Sequence, residues 1–153
     1  MPFVNFVLIC VTTSMSRSPN MTFDPQTVFA NLTEKERVHG HHTAEGRAIR
    51  TLSRALNGWS VGDLSAKDVI VLCDQAIEDW LKERLKISAW SATGLRQLLA
   101  VAVAREVLTP AESMRLQRVH DLRSHSTRES IAECDVERAL EWSIKFPAED
   151  PGR

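Results

Sequence analysis

The sequence predicts an all-α protein, a four- or five-helix up-and-down bundle closed around one core. Three observations predict it. Apolar residues recur at helical spacing through most of the chain, and Asn-Gly, Thr-Pro and Phe-Pro steps cut them into segments of helical length. No segment after residue 20 alternates apolar with polar residues as a strand would, and there is no internal repeat. A length of 153 residues suits one core rather than two.

The elements follow in order. Residues 1 to 20 combine a short apolar run, Pro2 to Val11, with the polar stretch from Thr12 to Asn20, and read as a disordered or mis-assigned leader ahead of Met21. The apolar run is too short to span a bilayer, and it has neither a preceding Lys or Arg nor a small-residue cleavage pattern. Residues 21 to 64 form an N-terminal helical segment with loops. A mixed polar stretch after Asp24-Pro25 ends in Val38-His39-Gly40-His41-His42, and Thr43 opens a helix to Leu56 that Asn57-Gly58 stops. Trp59 to Leu64 reads as a connecting loop.

Residues 65 to 146 form the helical core of the fold, and 147 to 153 a tail. From Ser65, Val69, Leu72, Cys73, Ala76, Trp80 and Leu81 fall at helical spacing, with Asp74, Glu78, Lys82 and Glu83 on other faces, which predicts packing through one stripe. Leu95, Leu98, Leu99, Ala102 and Val103 mark a second helix ending near Val107. Thr109-Pro110-Ala111-Glu112 is a capping box with Pro at the first helical position, so a helix runs from Pro110 toward His125. The stretch from Ser124 to Glu133 is a loop or a helix end. The last helix spans Asp135 to Lys145, with Val136, Ala139, Leu140 and Ile144 inward and Phe146-Pro147 closing it.

Composition narrows the functions. Hydrophobic residues at 43% and charged residues at 25% are ordinary for a globular chain, and a net charge of -1 gives no global attraction to nucleic acid. Any basic surface must be local. Cys10, Cys73 and Cys134 lie more than sixty positions apart, which matches neither a disulfide framework nor a zinc pair and predicts a cytoplasmic protein with no membrane partner. His39, His41 and His42 sit in a Gly-containing loop without a supporting carboxylate or Cys pattern, so no metal is expected there. Trp59, Trp80, Trp90 and Trp142 are expected in the core or at helix junctions rather than as stacking platforms.

The chemistry concentrates on the capped helix. Leu116, Val119 and Leu122 form an apolar arc with Arg123 at its edge, and Arg118, Asp121 and His125 fall on the polar side as a solvated ladder. Arg115, Arg118, Arg123 and Arg128, with His120 and His125, make the concentrated basic stripe of the chain and could meet phosphate. The acidic residues that follow, Glu133, Asp135, Glu137 and Glu141, could equally neutralise it inside the fold.

This order of elements resembles the HEPN family, small helical bundles that include ribonuclease toxins and non-catalytic members. The resemblance runs from about Ala66 to Ile144 and rests on the segments Leu72 to Lys82, Leu95 to Leu99, Val119 to Ser124 and Asp135 to Leu140. It implies a homodimer whose ribonuclease members bring an Arg, commonly followed by Asn, and a downstream His to a dimer cleft. Arg123 is the positional counterpart of that Arg, but Ser124 replaces the Asn and Arg128 stands where a His belongs. Two pairs keep the family's spacing: Arg118 and His125 share a helix face, whereas Arg115 and His120 lie about 140° apart.

The candidate catalytic residues are therefore Arg118, Arg123 and His125, and the candidate nucleic-acid contacts Arg115, Arg118, His120 and Arg128. A His can move the proton while an Arg stabilises charge on phosphorus, so the chemistry calls for no metal and no other cofactor. The resemblance implies either metal-independent RNA cleavage or binding of toxin-antitoxin or defence type, or a non-catalytic dimer that binds a protein partner. A third reading draws Leu95 to Arg123 as a helix-turn-helix whose second helix presents Arg115, Arg118 and His120 to DNA.

Overall fold

The computed structural model describes residues 24–40, 42–88, 90–125 and 131–149, with side chains as far as Lys145. Expectations about the leader, His41, Arg128 and the tail beyond Glu149 lie outside the described residues. Among those residues the fold is all-α, with six helices and no strand: α1 Pro25–His39, α2 Ala44–Val61, α3 Ala66–Leu85, α4 Leu95–Ala104, α5 Pro110–His125 and α6 Glu133–Glu149. The count exceeds the expected four or five because the mixed polar stretch is itself a helix.

Local chemistry explains α1. The Asp24 carboxylate accepts from the Gln26 amide at 3.3 Å and the Thr27 hydroxyl at 2.6 Å, and Pro25 occupies the first turn. Val28, Phe29 and Leu32 then share one side of the helix, with Leu32 fully buried, and Gly40 ends it at φ 81°. Two apolar turns suffice to dock a helix whose other faces are polar.

The second helix corrects another boundary. Asn57-Gly58 does not stop α2, and Trp59 and Ser60 are buried helical residues rather than a loop. Gly58 is inside because Leu64 doubles back over it: a Cβ there would run into the Leu64 side chain, and the Asp63 and Leu64 amides both donate to the Gly58 carbonyl, at 2.8 and 3.2 Å. The stop is Gly62, left-handed at φ 84°.

Ser65 caps α3 through the Asp68 amide at 3.2 Å, and Lys86, left-handed at φ 58°, ends it. This helix packs against α2, α4, α5 and α6. Its buried arc is correspondingly wider than one stripe and takes in Asp74 and Lys82, which were expected on outer faces. α4 stops at Ala104, short of Val107, because Glu106 turns left-handed at φ 59° and the Val107 amide reaches back to the Ala102 carbonyl at 2.8 Å.

The capping box of α5 forms as expected, with the Thr109 amide on Glu112 Oε1 at 2.8 Å and the Glu112 amide on Thr109 Oγ1 at 3.1 Å. α6 buries Val136, Ala139, Leu140 and Ile144 as expected, but Phe146-Pro147 does not close it. A proline's φ is compatible with a helix, so in a last turn it removes one hydrogen bond rather than ending the element. Leu32, Trp59, Ile70, Leu98, Leu116 and Leu140, one from each helix, belong to a single apolar cluster.

Two expected outcomes follow from this packing. Gly46, in the first turn of α2, lies against the Gly40 backbone, and a Cβ there would collide with the Gly40 carbonyl oxygen. Gly46→Ala should therefore lower stability in urea, although Ala in place of a helical Gly ordinarily adds up to about 1 kcal/mol.

Glu137 is buried, and desolvation pushes its carboxyl up from the ordinary value; the Trp59 indole opposes this, and Glu133 and Glu141 add to it. With the folded value above the unfolded one, the folded state keeps a proton that the unfolded chain has already released, so stability falls as pH rises through that window. Glu137→Gln should shift the urea midpoint upward at pH 7, and the gain should vanish below about pH 4. Equal or lower stability at pH 7 would contradict the assignment.

Candidate functional site

The site begins with a residue that sequence periodicity placed off the apolar stripe of its helix. On α3, Ile70, Ile77 and Leu81 stand one and two turns from Asp74 on the same face, so the carboxylate of Asp74 points where these apolar side chains point. Its side chain is 2% exposed. A carboxylate withdrawn from water to that degree needs cationic or hydrogen-bonding partners, and α5 supplies both.

His120 Nδ1 lies 3.0 Å from Asp74 Oδ1, and Arg123 Nη1 donates to Asp74 Oδ2 at 2.8 Å. The two residues, three apart on α5, flank Leu116 and Val119 on its core-facing side. The capping box fixes where α5 begins and hence the phase in which it presents that face.

The geometry selects a tautomer. A carboxylate only accepts, so Nδ1 carries a proton toward Asp74, and in the neutral imidazole the lone pair is then on Nε2. The His120 side chain is 27% exposed and that of Arg123 46%, so both reach solvent from a fully buried anchor. A proton-transfer group oriented by a carboxylate, next to a guanidinium, can accept a proton from a hydroxyl and stabilise negative charge beside it.

The structure divides the sequence-predicted residues differently from the spacing rule. Arg123, at the edge of the apolar arc, is half-exposed and donates to Asp74 of α3. Arg118 and His125 are both exposed, and no hydrogen bond or ion pair joins them. His125 Nδ1 is 2.8 Å from the Asp121 carbonyl within its own helix, while the Asp121 carboxylate takes Arg96 of α4 at 3.2 Å and Gln117 at 3.0 Å. The expected ladder is thus replaced by a tie between α4 and α5.

Arg115 is exposed, and Arg118 lines a shallow groove of about 430 Å³ between α4 and α5 beside Met114, which is 73% exposed. His120 faces Asp74, so it does not share an outward reading face with Arg115 and Arg118 as the helix-turn-helix reading requires.

Asp74 is the residue that the spacing rule missed. The signal that marks it is the run of apolar residues at three- and four-residue intervals around it, which places an acid on the axis of a second buried stripe. Burial pushes the Cys73 thiol up to about 12, so it behaves as a core residue. Trp59 and Trp80 are buried and Trp142 half-buried, while Trp90, on the connection between α3 and α4, is 95% exposed and outside the core. Among the described residues no group of three or more His, Cys, Asp and Glu side chains is arranged to hold a metal ion, and no helix is long and apolar enough to cross a membrane.

No protein-family model, curated protein or solved structure matches this chain.

The cluster should behave as one energetic unit. Arg123→Met leaves a buried carboxylate one partner short and should lower stability by about 1 to 3 kcal/mol. In an Asp74→Leu background the same substitution should have a much smaller effect, because no buried charge then remains to be met. Denaturant unfolding of the four proteins checks the coupling. Additive effects would show that Arg123 contributes through its own packing alone.

Proposed function

We propose that the chain cleaves RNA phosphodiester bonds without a metal, using His120 for proton transfer and Arg123 for charge stabilisation, with Asp74 holding both. The observation that carries this reading is the shared carboxylate: one buried Asp74 orients an imidazole and a guanidinium side by side, each partly open to solvent. The resemblance to HEPN ribonucleases supports the same reaction class, while the contacts to Asp74 keep Arg123 and replace Arg118 and His125 by His120, which precedes the Arg where the family's His follows it.

In the reaction the ribose 2′-hydroxyl loses its proton to His120 Nε2 as its oxygen bonds to phosphorus. The bond from phosphorus to the 5′ oxygen breaks, and that oxygen takes up a proton. Arg123 faces the negative charge gathered on the non-bridging oxygens. A homodimer that apposes two α5 helices supplies a second proton-transfer group for the leaving oxygen, and Arg115 and Arg118 hold neighbouring phosphates.

A non-catalytic reading has its own support in the α4–α5 groove, where exposed Met114 lies beside Leu99 and Ala100 as in a protein-association surface.

Incubation of the purified protein with single-stranded and structured RNAs, in the presence of a chelator, separates the two. The wild type should cleave, light scattering should report a dimer, and His120→Ala should reduce the rate by about 100-fold or more. His125→Ala should leave cleavage nearly unchanged, and Arg118→Ala should weaken RNA binding and flatten its salt dependence. Absence of cleavage across RNAs and salt concentrations, or full activity in His120→Ala, would reject the enzyme and leave the association module.

A further inference from the structure

The connection between α3 and α4 presents an indole to solvent from an anchored position. Lys82, whose side chain is 7% exposed, sends its ammonium to the Ser91 carbonyl at 3.0 Å and to Glu78 at 3.0 Å. The Trp90 amide donates to Ser88 Oγ at 3.2 Å, the Ser91 amide to the Ser88 carbonyl at 3.0 Å, and the Ser91 and Thr93 hydroxyls lie 2.7 Å apart. These bonds hold the Trp90 amide and the backbone that follows it, beside a side chain that is 95% exposed.

One exposed aromatic residue is ordinary on a protein surface. What sets Trp90 apart is the cavity it borders, about 630 Å³, whose other walls are Arg47, Arg50 and Thr51 of α2 and Gln75 and Asp79 of α3. It is an open depression, so a ligand there would lie against its walls with one side in solvent. Arg47 and Arg50 are three apart and Gln75 and Asp79 four apart, so each helix turns one face to the cavity. Arg47 donates to the His42 carbonyl at 2.9 Å and Arg50 to Glu36 at 2.8 Å, which hold the two guanidinium groups in place. Arg47 and Asp79 also border a smaller depression of about 230 Å³ toward Lys82 and Thr43.

The chemistry of the walls is mixed in a way that few ligands match. A bare anion has no use for an indole and is repelled by Asp79, and an acyl chain would strand the guanidinium, amide and carboxylate groups. A nucleotide uses all of them: a planar base stacks on the indole, a phosphate meets the arginines, and the base edge meets the amide and carboxylate. Among the common bases, guanine offers two adjacent N–H donors on one edge, which a carboxylate accepts together.

We propose that this cavity is a nucleotide-binding site, with the base stacked on Trp90, the phosphate held by Arg47 and Arg50, and guanine favoured through Asp79 and Gln75. Asp74, His120 and Arg123 take no part in it, so it stands or falls independently of RNA cleavage.

Titration of the full chain with guanosine 5′-monophosphate, followed by calorimetry and tryptophan fluorescence, tests it. Saturable binding should exceed that of adenosine 5′-monophosphate and ribose 5-phosphate. Trp90→Ala should weaken it by about fivefold or more with an unchanged circular-dichroism spectrum, and Asp79→Asn should erase the preference for guanine. His120→Ala should bind the nucleotide like the wild type whether or not the wild type cleaves RNA.

A short single-stranded RNA containing one guanosine identifies the natural source. Tighter, salt-sensitive binding than the mononucleotide assigns the site to an RNA chain, and equal binding assigns it to the free nucleotide. Failure of guanosine monophosphate to saturate, equal binding of ribose 5-phosphate, or undiminished binding in Trp90→Ala would each overturn the proposal.

Discussion

One carboxylate, withdrawn from water midway along the central helix, sets the terms for the face on which α5 docks. Asp74 shares its side of α3 with Ile70, Ile77 and Leu81, so burying those three buries the acid with them. An uncompensated charge there would oppose the packing that the apolar residues favour. The chain resolves the conflict by bringing His120 and Arg123 across from α5, where Leu116 and Val119 supply the apolar part of the same contact. Apolar burial pulls the helices together, and the ion cluster selects the rotation at which they meet.

That solution has a chemical by-product. An imidazole that meets a buried acid through Nδ1 has, when neutral, a defined tautomer, and its side chain is partly exposed. A guanidinium that donates to the same acid keeps its charge beside it. The tie between two helices and the proposed reactive pair are thus the same set of atoms. Structural and catalytic roles for His120 and Arg123 separate only in measurements that read stability and turnover independently.

α3 carries a second buried charge of opposite sign. Lys82 reaches the Ser91 carbonyl and Glu78, and so ties the following connection to the helix as Asp74 ties α5. The wide buried arc of α3 explains why both charges had to find partners, and those partners shape the molecule's two candidate sites. On one side stand His120 and Arg123; on the other, Trp90 is displayed beside Arg47, Gln75 and Asp79. A polar group inside a fold is costly enough that whatever satisfies it becomes fixed, and fixed side chains are what a binding surface requires.

The sequence by itself determined the helical class and the existence of α2 to α6, because apolar spacing and caps such as Thr43, Ser65 and the Thr109–Glu112 box act between residues only a few positions apart. It also marked the basic helix and the anomalous place of Arg123 on the apolar side. Boundaries that depend on distant contacts were not legible. Gly58 reads as a stop until Leu64 packs over it, and α1 reads as polar until Leu32 finds the core. Only the tertiary structure decided which charges are buried and which basic residues work together. Periodicity reports the angle of a side chain about its own helix, whereas partnership between Asp74, His120 and Arg123 depends on how α3 and α5 face each other across a gap in the chain that no local rule spans.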